Sequence, residues 1–213
     1  MRRSSMLVLA AGATLLAGCQ TDTAGGGNAP VTATAGATLI AAPAPVAFQC
    51  PAAATRVTYN DGAITSYTGI DPADASVCRR TTSAGQQQRL MYNFWSLPLI
   101  GEPAVRSGIS AVWPMAPGGR TSFVFIGRSF DGNTFQYQET WRVERAERIT
   151  VAGAPRDTLV VRRTQEGRLN NTSLVHETYW YDLASRTWIK REVETVRGQS
   201  IARPFEATRI EVP

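Results

Sequence analysis

The sequence predicts a mainly β fold: an antiparallel, strongly curved up-and-down sheet or a small barrel, with one short covering helix. Three observations predict it. From Arg120 onward, runs rich in Val, Ile, Thr, Tyr, Phe and Trp recur between short polar or Gly-containing turns. In the clearest run, Thr134 to Glu144, apolar and polar side chains alternate with the period of two that a half-buried strand needs. No βαβ rhythm is present, and short turns join antiparallel neighbours rather than parallel ones.

Taken in order, the chain opens with an address. Arg2 and Arg3 are followed by 11 uncharged, mostly apolar residues, Met6 to Leu16, and then by small residues up to Cys19. This is the layout of a secretory signal peptide. An 11-residue helix would be about 16 Å long, too short for about 30 Å of hydrocarbon. Leu16-Ala17-Gly18-Cys19 is the substrate pattern of bacterial lipoprotein processing. It implies a thioether-linked diacylglycerol, such as a palmitate diester, on Cys19, cleavage before that residue and acylation of the new amine. A chance cysteine behind an ordinary signal peptide is the rival reading. Several acyl chains on one residue exceed the two signals that stable anchoring needs. Gln20, not Asp, follows Cys19. The expectation is an envelope protein held in the membrane, outer rather than inner, and facing the periplasm.

Residues 1–18 are thus the lipoprotein signal peptide. Residues 19–46 are rich in Ala, Gly, Thr and Pro and are expected to form a flexible tether from Cys19, with a reach of about 30 Å. Residues 47–213 are long enough for one β domain with a real core. Cys50 and Cys78 remain as a pair in an oxidising compartment, where a disulfide is expected. It would contribute about 3 kcal/mol. A metal site is the rival, but two cysteines 28 apart with no nearby His make poor zinc ligands.

The formal charge is +5, falling to +3 once Arg2 and Arg3 leave with the leader. Lys190 is the only lysine. The arginines are scattered among acids, as in Arg142-Val143-Glu144-Arg145-Ala146-Glu147-Arg148, so no nucleic-acid-binding stripe is expected.

Within the domain, Arg56 to Tyr59 is a short strand and Asn60-Asp61-Gly62 a hairpin turn, because Asp-Gly supplies the positive φ of tight hairpins. Ile64 to Tyr67 returns. Asp71-Pro72-Ala73-Asp74 suits either one helical turn or a plain turn before Cys78. Gln86 to Leu97 fits helix or strand, and its aromatics favour strand. Glu102 to Trp113 is the best helix: Pro103 suits its first turn, and Val105, Ile109 and Val112 share one face. Gly108 weakens that helix by about 1 kcal/mol. Thr121 to Phe130 is a strand, and Asp131-Gly132-Asn133 a turn. In Thr134 to Glu144 the one break is Glu139, a charge on the apolar face. Arg148 to Val151 and Thr158 to Thr164 flank an Ala-Gly-Ala-Pro turn. Ser173 to Asp182, Thr187 to Val196 and Phe205 to Val212 complete the strands.

His176 is the only histidine, lies mid-strand beside Glu177, and has no Gly-x-Ser-x-Gly elbow to serve. Zinc-hydrolase motifs need more histidines. Asp71 with Asp74, and Glu192 with Glu194, are the paired carboxylates. The second pair would share a strand face about 7 Å apart, but Lys190 and Arg191 beside it suggest a solvated charged face rather than a glycosidase site. Asp131-Gly132-Asn133 lacks the spaced acids of a calcium loop. No catalytic residue, cofactor or metal is therefore expected. Trp113, Trp141, Tyr179, Trp180, Tyr181 and Trp188 form a candidate ligand groove, with ordinary core packing as the alternative.

Trp113-Pro114-Met115 with Gly118-Gly119, Trp141-Arg142-Val143, Glu147, Ile149 to Gly153, Tyr179 to Asp182 and Lys190-Arg191-Glu192 together make a familiar pattern. It resembles a loose group of uncharacterised proteobacterial envelope proteins, many of them lipoproteins. That group shares a WPL-x-x-G entry, a VTVPAGTF turn, a YWY-x-P strand and a VKR strand. The likeness covers roughly residues 109–195. Ala152-Gly153-Ala154-Pro155-Arg156 departs from it, lacking the preceding Pro and following Phe. The resemblance implies a curved β-sheet of the kind that cradles acyl chains, and no residue-level chemistry. The expectation is a membrane-anchored, non-enzymatic binding or interaction module, its partner another envelope protein. A carrier of a hydrophobic or acyl-chain ligand is the alternative, and a hydrolase comes third.

Overall fold

The computed structural model describes residues 36–128, 134–169 and 172–213. Cys19, the expected signal segment, the first part of the expected tether and the turn expected at Asp131-Gly132-Asn133 lie outside the described residues. Those residues form twelve strands in one antiparallel sheet and one helix.

The strands are β1 (Thr38–Leu39), β2 (Arg56–Tyr59), β3 (Ile64–Asp71), β4 (Asp74–Thr82), β5 (Gln87–Met91) and β6 (Trp95–Leu97). Helix α1 (Glu102–Ser110) follows. Then come β7 (Arg120–Arg128), β8 (Thr134–Val151), β9 (Ala154–Arg168), β10 (Leu174–Asp182), β11 (Trp188–Arg197) and β12 (Phe205–Glu211). Sequence neighbours pair along the meander from β7 to β12. The last strand then returns to β2, and β2 to β6 continue the same sheet. β1 and β7 share the outer edge of β8, whose length accommodates both.

The sheet is not closed. Its two ends, β6 and β7, approach through side chains: the rings of Trp95 and Phe125 meet edge to face at 5.2 Å. Helix α1 packs beside this seam, burying Val105 and Ile109. Pro103 takes its first turn, where a missing N–H costs nothing. Gly108 is a contact residue as well as a weak helix former. A Cβ there would fall 2.1 Å from a ring carbon of Phe123, so the helix reaches the strand only because the side chain is absent.

Several expectations are refined. The two strands expected at residues 134–144 and 148–151 are one, with a bulge between Val143 and Arg145. β9 is twice the expected length. Its hairpin turn needs only Ala152 and Gly153, with φ of 54° and 72°, the double positive φ of a tight two-residue turn. Residues 74–82, where no strand is expected from the sequence, form a full strand, β4, in which Val77 and Cys78 are buried between polar residues. Residues 87–97 are strand, as the aromatics suggested, broken by Tyr92 and Asn93 in left-handed conformation. The last ten residues of the expected tether lie along the domain. Thr38 and Leu39 pair with Arg148 and Glu147, and Val46 exchanges backbone hydrogen bonds of 2.8 and 2.9 Å with Met115.

Cys50 and Cys78 are joined, with their Cα atoms 5.4 Å apart, tying the segment before β2 to the buried face of β4. From Tyr179 to Asp182, both faces of β10 are buried. Tyr179 and Tyr181 enter one core with Trp141, Leu159 and Ile109. Trp180 enters a second with Val57, Val160 and Ile189. Successive residues of a strand point to opposite faces, which divides this aromatic run between two cores.

Candidate functional site

Three adjacent strands each carry a charge on the face shared with Trp141 and Tyr179. They are Glu139 on β8, Arg163 on β9 and Glu177 on β10. Register brings them together: Arg163 sits opposite Trp141 on one side and opposite Glu177 on the other, with Glu139 on the diagonal. Arg163 donates from Nε and Nη2 to the two oxygens of Glu139 at 2.7 and 2.6 Å. Its Nη1 donates to Glu177 Oε2. All three side chains are at most 9% exposed. Burial opposes the Arg163 charge, but the two carboxylates more than offset it and hold the guanidinium protonated well above its ordinary range.

The cluster is completed by neutral donors and a second cation. Gln165 donates to Glu139 at 2.8 Å, and the Tyr179 hydroxyl donates to Glu177 at 3.0 Å. Arg191 of β11 lies 3.5 Å from the same Glu177 oxygen, and its own position is fixed by the carbonyl of Arg203. Rings pack over these cations. Arg163 lies 5.2, 5.5 and 5.8 Å from the centroids of Trp95, Phe94 and Trp141, and Arg191 lies 4.9 Å from that of Phe205. Burial raises the Tyr179 phenol to about 12.

Above this cluster lies a cleft of about 450 Å³. Its wall holds seven aromatic rings, from Tyr59, Tyr67, Phe94, Trp95, Tyr179, Trp188 and Phe205, and three arginines, Arg80, Arg163 and Arg191. Tyr67, Asn93 and Tyr179 are buried at its floor, and Asp61, Ala63 and Ser83 are exposed at its rim. The cleft also measures the curvature of the sheet. Arg80 on β4 and Tyr179 on β10 line one cavity, yet four strands separate theirs in the sheet. In a flat sheet they would stand about 24 Å apart.

Of the six expected groove residues, Tyr179 and Trp188 line this cleft. Trp141 and Tyr181 are core, and Trp180 faces the opposite core, donating to Glu147 at 2.6 Å. Trp113 is half-buried against Phe48 and Tyr181. The arginines and the rings from β2, β3, β5–β6 and β12 were not in the expected groove.

The other candidates have structural partners. Asp71 accepts from Ala73 N and pairs with Arg89 at 2.8 Å. Asp74 accepts from Ser76 and pairs with Arg106 at 2.9 Å. Glu192 and Glu194 are exposed, 3.0 Å from Lys190 and 3.8 Å from Arg162. His176 Nδ1 lies 3.0 Å from the Thr164 hydroxyl on the neighbouring strand.

Fold and site together define an open antiparallel meander, coiled around a cleft of aromatic rings and arginines that rests on a buried ion cluster. No family model matches the chain, and no curated protein matches it significantly. Among solved structures it is similar to the crystal structure of the hypothetical lipoprotein YmcC from Escherichia coli K12. The TM-score is 0.42 at 11% identity, over 69% of this chain and 84% of that chain.

Proposed function

We propose that this chain is a lipid-anchored envelope protein, held at the outer membrane through Cys19, whose β domain binds a small ligand in the cleft without transforming it. The lipobox Leu16-Ala17-Gly18-Cys19 supports the address. The cleft supports the binding role. It is a concavity of a size typical for small ligands, built by strands remote in sequence, with its charged floor locked by direct hydrogen bonds. A wall locked in this way presents its groups to a ligand without ordering cost.

The three arginines argue against a bare acyl chain as occupant, because hydrocarbon would strip water from them without replacing its hydrogen bonds. The ligand instead combines apolar surface for the rings with polar atoms for the guanidinium groups.

The test is a thermal-melting titration with small molecules extracted from the producing envelope, run against Ala63→Trp. Ala63 is exposed at the rim, so a bulky ring there closes the cleft while leaving the core intact. The extract should raise the melting temperature of the unaltered protein and leave that of the variant unchanged. Equal shifts in both would place binding elsewhere.

A further inference from the structure

The cleft wall is unbalanced in charge. Arg80, Arg163 and Arg191 line it, and Asp61 is the one carboxylate among the lining residues. The glutamates that engage Arg163 and Arg191 lie behind the wall, buried and outside its lining. Those two cations are therefore matched from beneath.

Arg80 is not. Its Nε donates to the neutral Gln88 side chain at 2.8 Å. Among the described residues no carboxylate lies within ion-pair distance of it. Asp61 is exposed at the rim, and its Oδ1 accepts from Ala63 N at 2.9 Å. Tyr67 and Tyr59 face Arg80, and burial raises both phenols above the ordinary tyrosine range, so neither supplies a counter-charge at neutral pH. A guanidinium in a half-enclosed, ring-walled cleft, with only neutral partners, presents fixed donors to an anion. Low surrounding polarity strengthens the attraction relative to open water.

The surface beside it is apolar and angular. Tyr59 and Phe205 meet edge to face at 5.1 Å, and Trp188, whose backbone carbonyl accepts from the Tyr59 hydroxyl at 3.3 Å, lines the same wall. A flat apolar face would lie against these rings while its acid group reached Arg80.

We propose that the cleft takes an organic anion, with a carboxylate or phosphate group at Arg80 and a flat apolar face against Tyr59, Phe205 and Trp188. This rests on the cleft being the ligand site. Carboxylate and phosphate share the recognition chemistry, since both accept a forked pair of N–H bonds from one guanidinium.

The test follows the indole N–H signals of Trp95 and Trp188 by NMR in the full chain. Benzoate, phenyl phosphate and the uncharged benzyl alcohol are titrated separately. Both anions should shift these signals, and the tighter of the two identifies the preferred acid. Arg80→Gln should weaken both by at least about tenfold and leave benzyl alcohol unchanged, with Arg80→Lys intermediate. Benzyl alcohol binding as tightly as the anions, or Arg80→Gln leaving anion affinity unaltered, would overturn the anion proposal while the cleft stands as a site. No shift with any probe would overturn the proposal and the cleft reading together.

Discussion

Glu139 and Arg163 meet on adjacent strands through two parallel hydrogen bonds, 2.7 and 2.6 Å long, with the carboxylate fully buried and the guanidinium 9% exposed. Glu139 breaks the apolar alternation of β8 because it answers a cation on β9. Removing one partner of such a pair strands the other in a low-dielectric interior. Glu139→Ala should cost about 3–5 kcal/mol in urea unfolding. The pair Glu139→Leu with Arg163→Met should cost less than the sum of its single changes, because neither member of the pair is left without the other, while Glu177 keeps Tyr179 and Arg191.

The disulfide joins the entrance of the domain to β4. Thiol labelling of the native protein should find neither Cys50 nor Cys78. Replacing both with Ala should lower stability by about 3 kcal/mol through the larger entropy of the unfolded chain. Labelling of both residues in the native state would refute the linkage.

Gly108 offers a test in which local propensity and packing disagree. Ala is favoured over Gly in a helix by about 1 kcal/mol. Here the added methyl would fall inside the ring of Phe123, and overpacking of this kind costs about 1–3 kcal/mol. Gly108→Ala should therefore destabilise, and Phe123→Leu added to it should recover part of the loss. A stabilised Gly108→Ala would show that the helix stands further from β7.

The phenols set an alkaline limit. Burial raises Tyr179 from 10.0 to about 12, and the same cause raises Tyr59, Tyr67 and Tyr181. A raised value means that the folded state holds the phenolic proton more tightly than the unfolded chain. The associated stability is fully present below pH 10.0 and is lost as pH rises towards about 12. Urea midpoints should fall across that window, and Tyr179→Phe should make the fall shallower.

How much of this was legible in the sequence depended on how local each signal was. Alternation in β8 exposed both its two faces and the anomalous Glu139. The same logic applied to β10 would have flagged Glu177 between Val175 and Tyr179, and on β9 it would have flagged Arg163 two residues after Val161. Three opposed charges on the buried faces of successive strands constitute an ion-cluster signal. β4 was hidden because Arg79, Arg80, Thr81 and Thr82 mask the buried Val77 and Cys78. β1 was hidden in an Ala- and Thr-rich stretch whose pairing depends wholly on β8. The cleft was illegible for a different reason. Arg80, Tyr179 and Phe205 become neighbours only through the coil of the whole sheet, and no local pattern encodes that curvature.

The address is tested at Cys19. Mass analysis of the N-terminal peptide from membranes should find Cys19 as the first residue, carrying its diacylglycerol and acyl chains. Cys19→Ser should abolish the modification and release the protein from the membrane. An unmodified, uncleaved leader in the unaltered protein would remove the anchor.

Occupancy of the cleft by a ligand in the envelope is what the proposed binding role requires. Native mass spectrometry of the full protein, gently extracted from its own membrane, tests it most directly. The unaltered protein should carry a discrete non-covalent small-molecule mass that Ala63→Trp lacks. A protein with no such adduct, or with the same adduct on both forms, would contradict it.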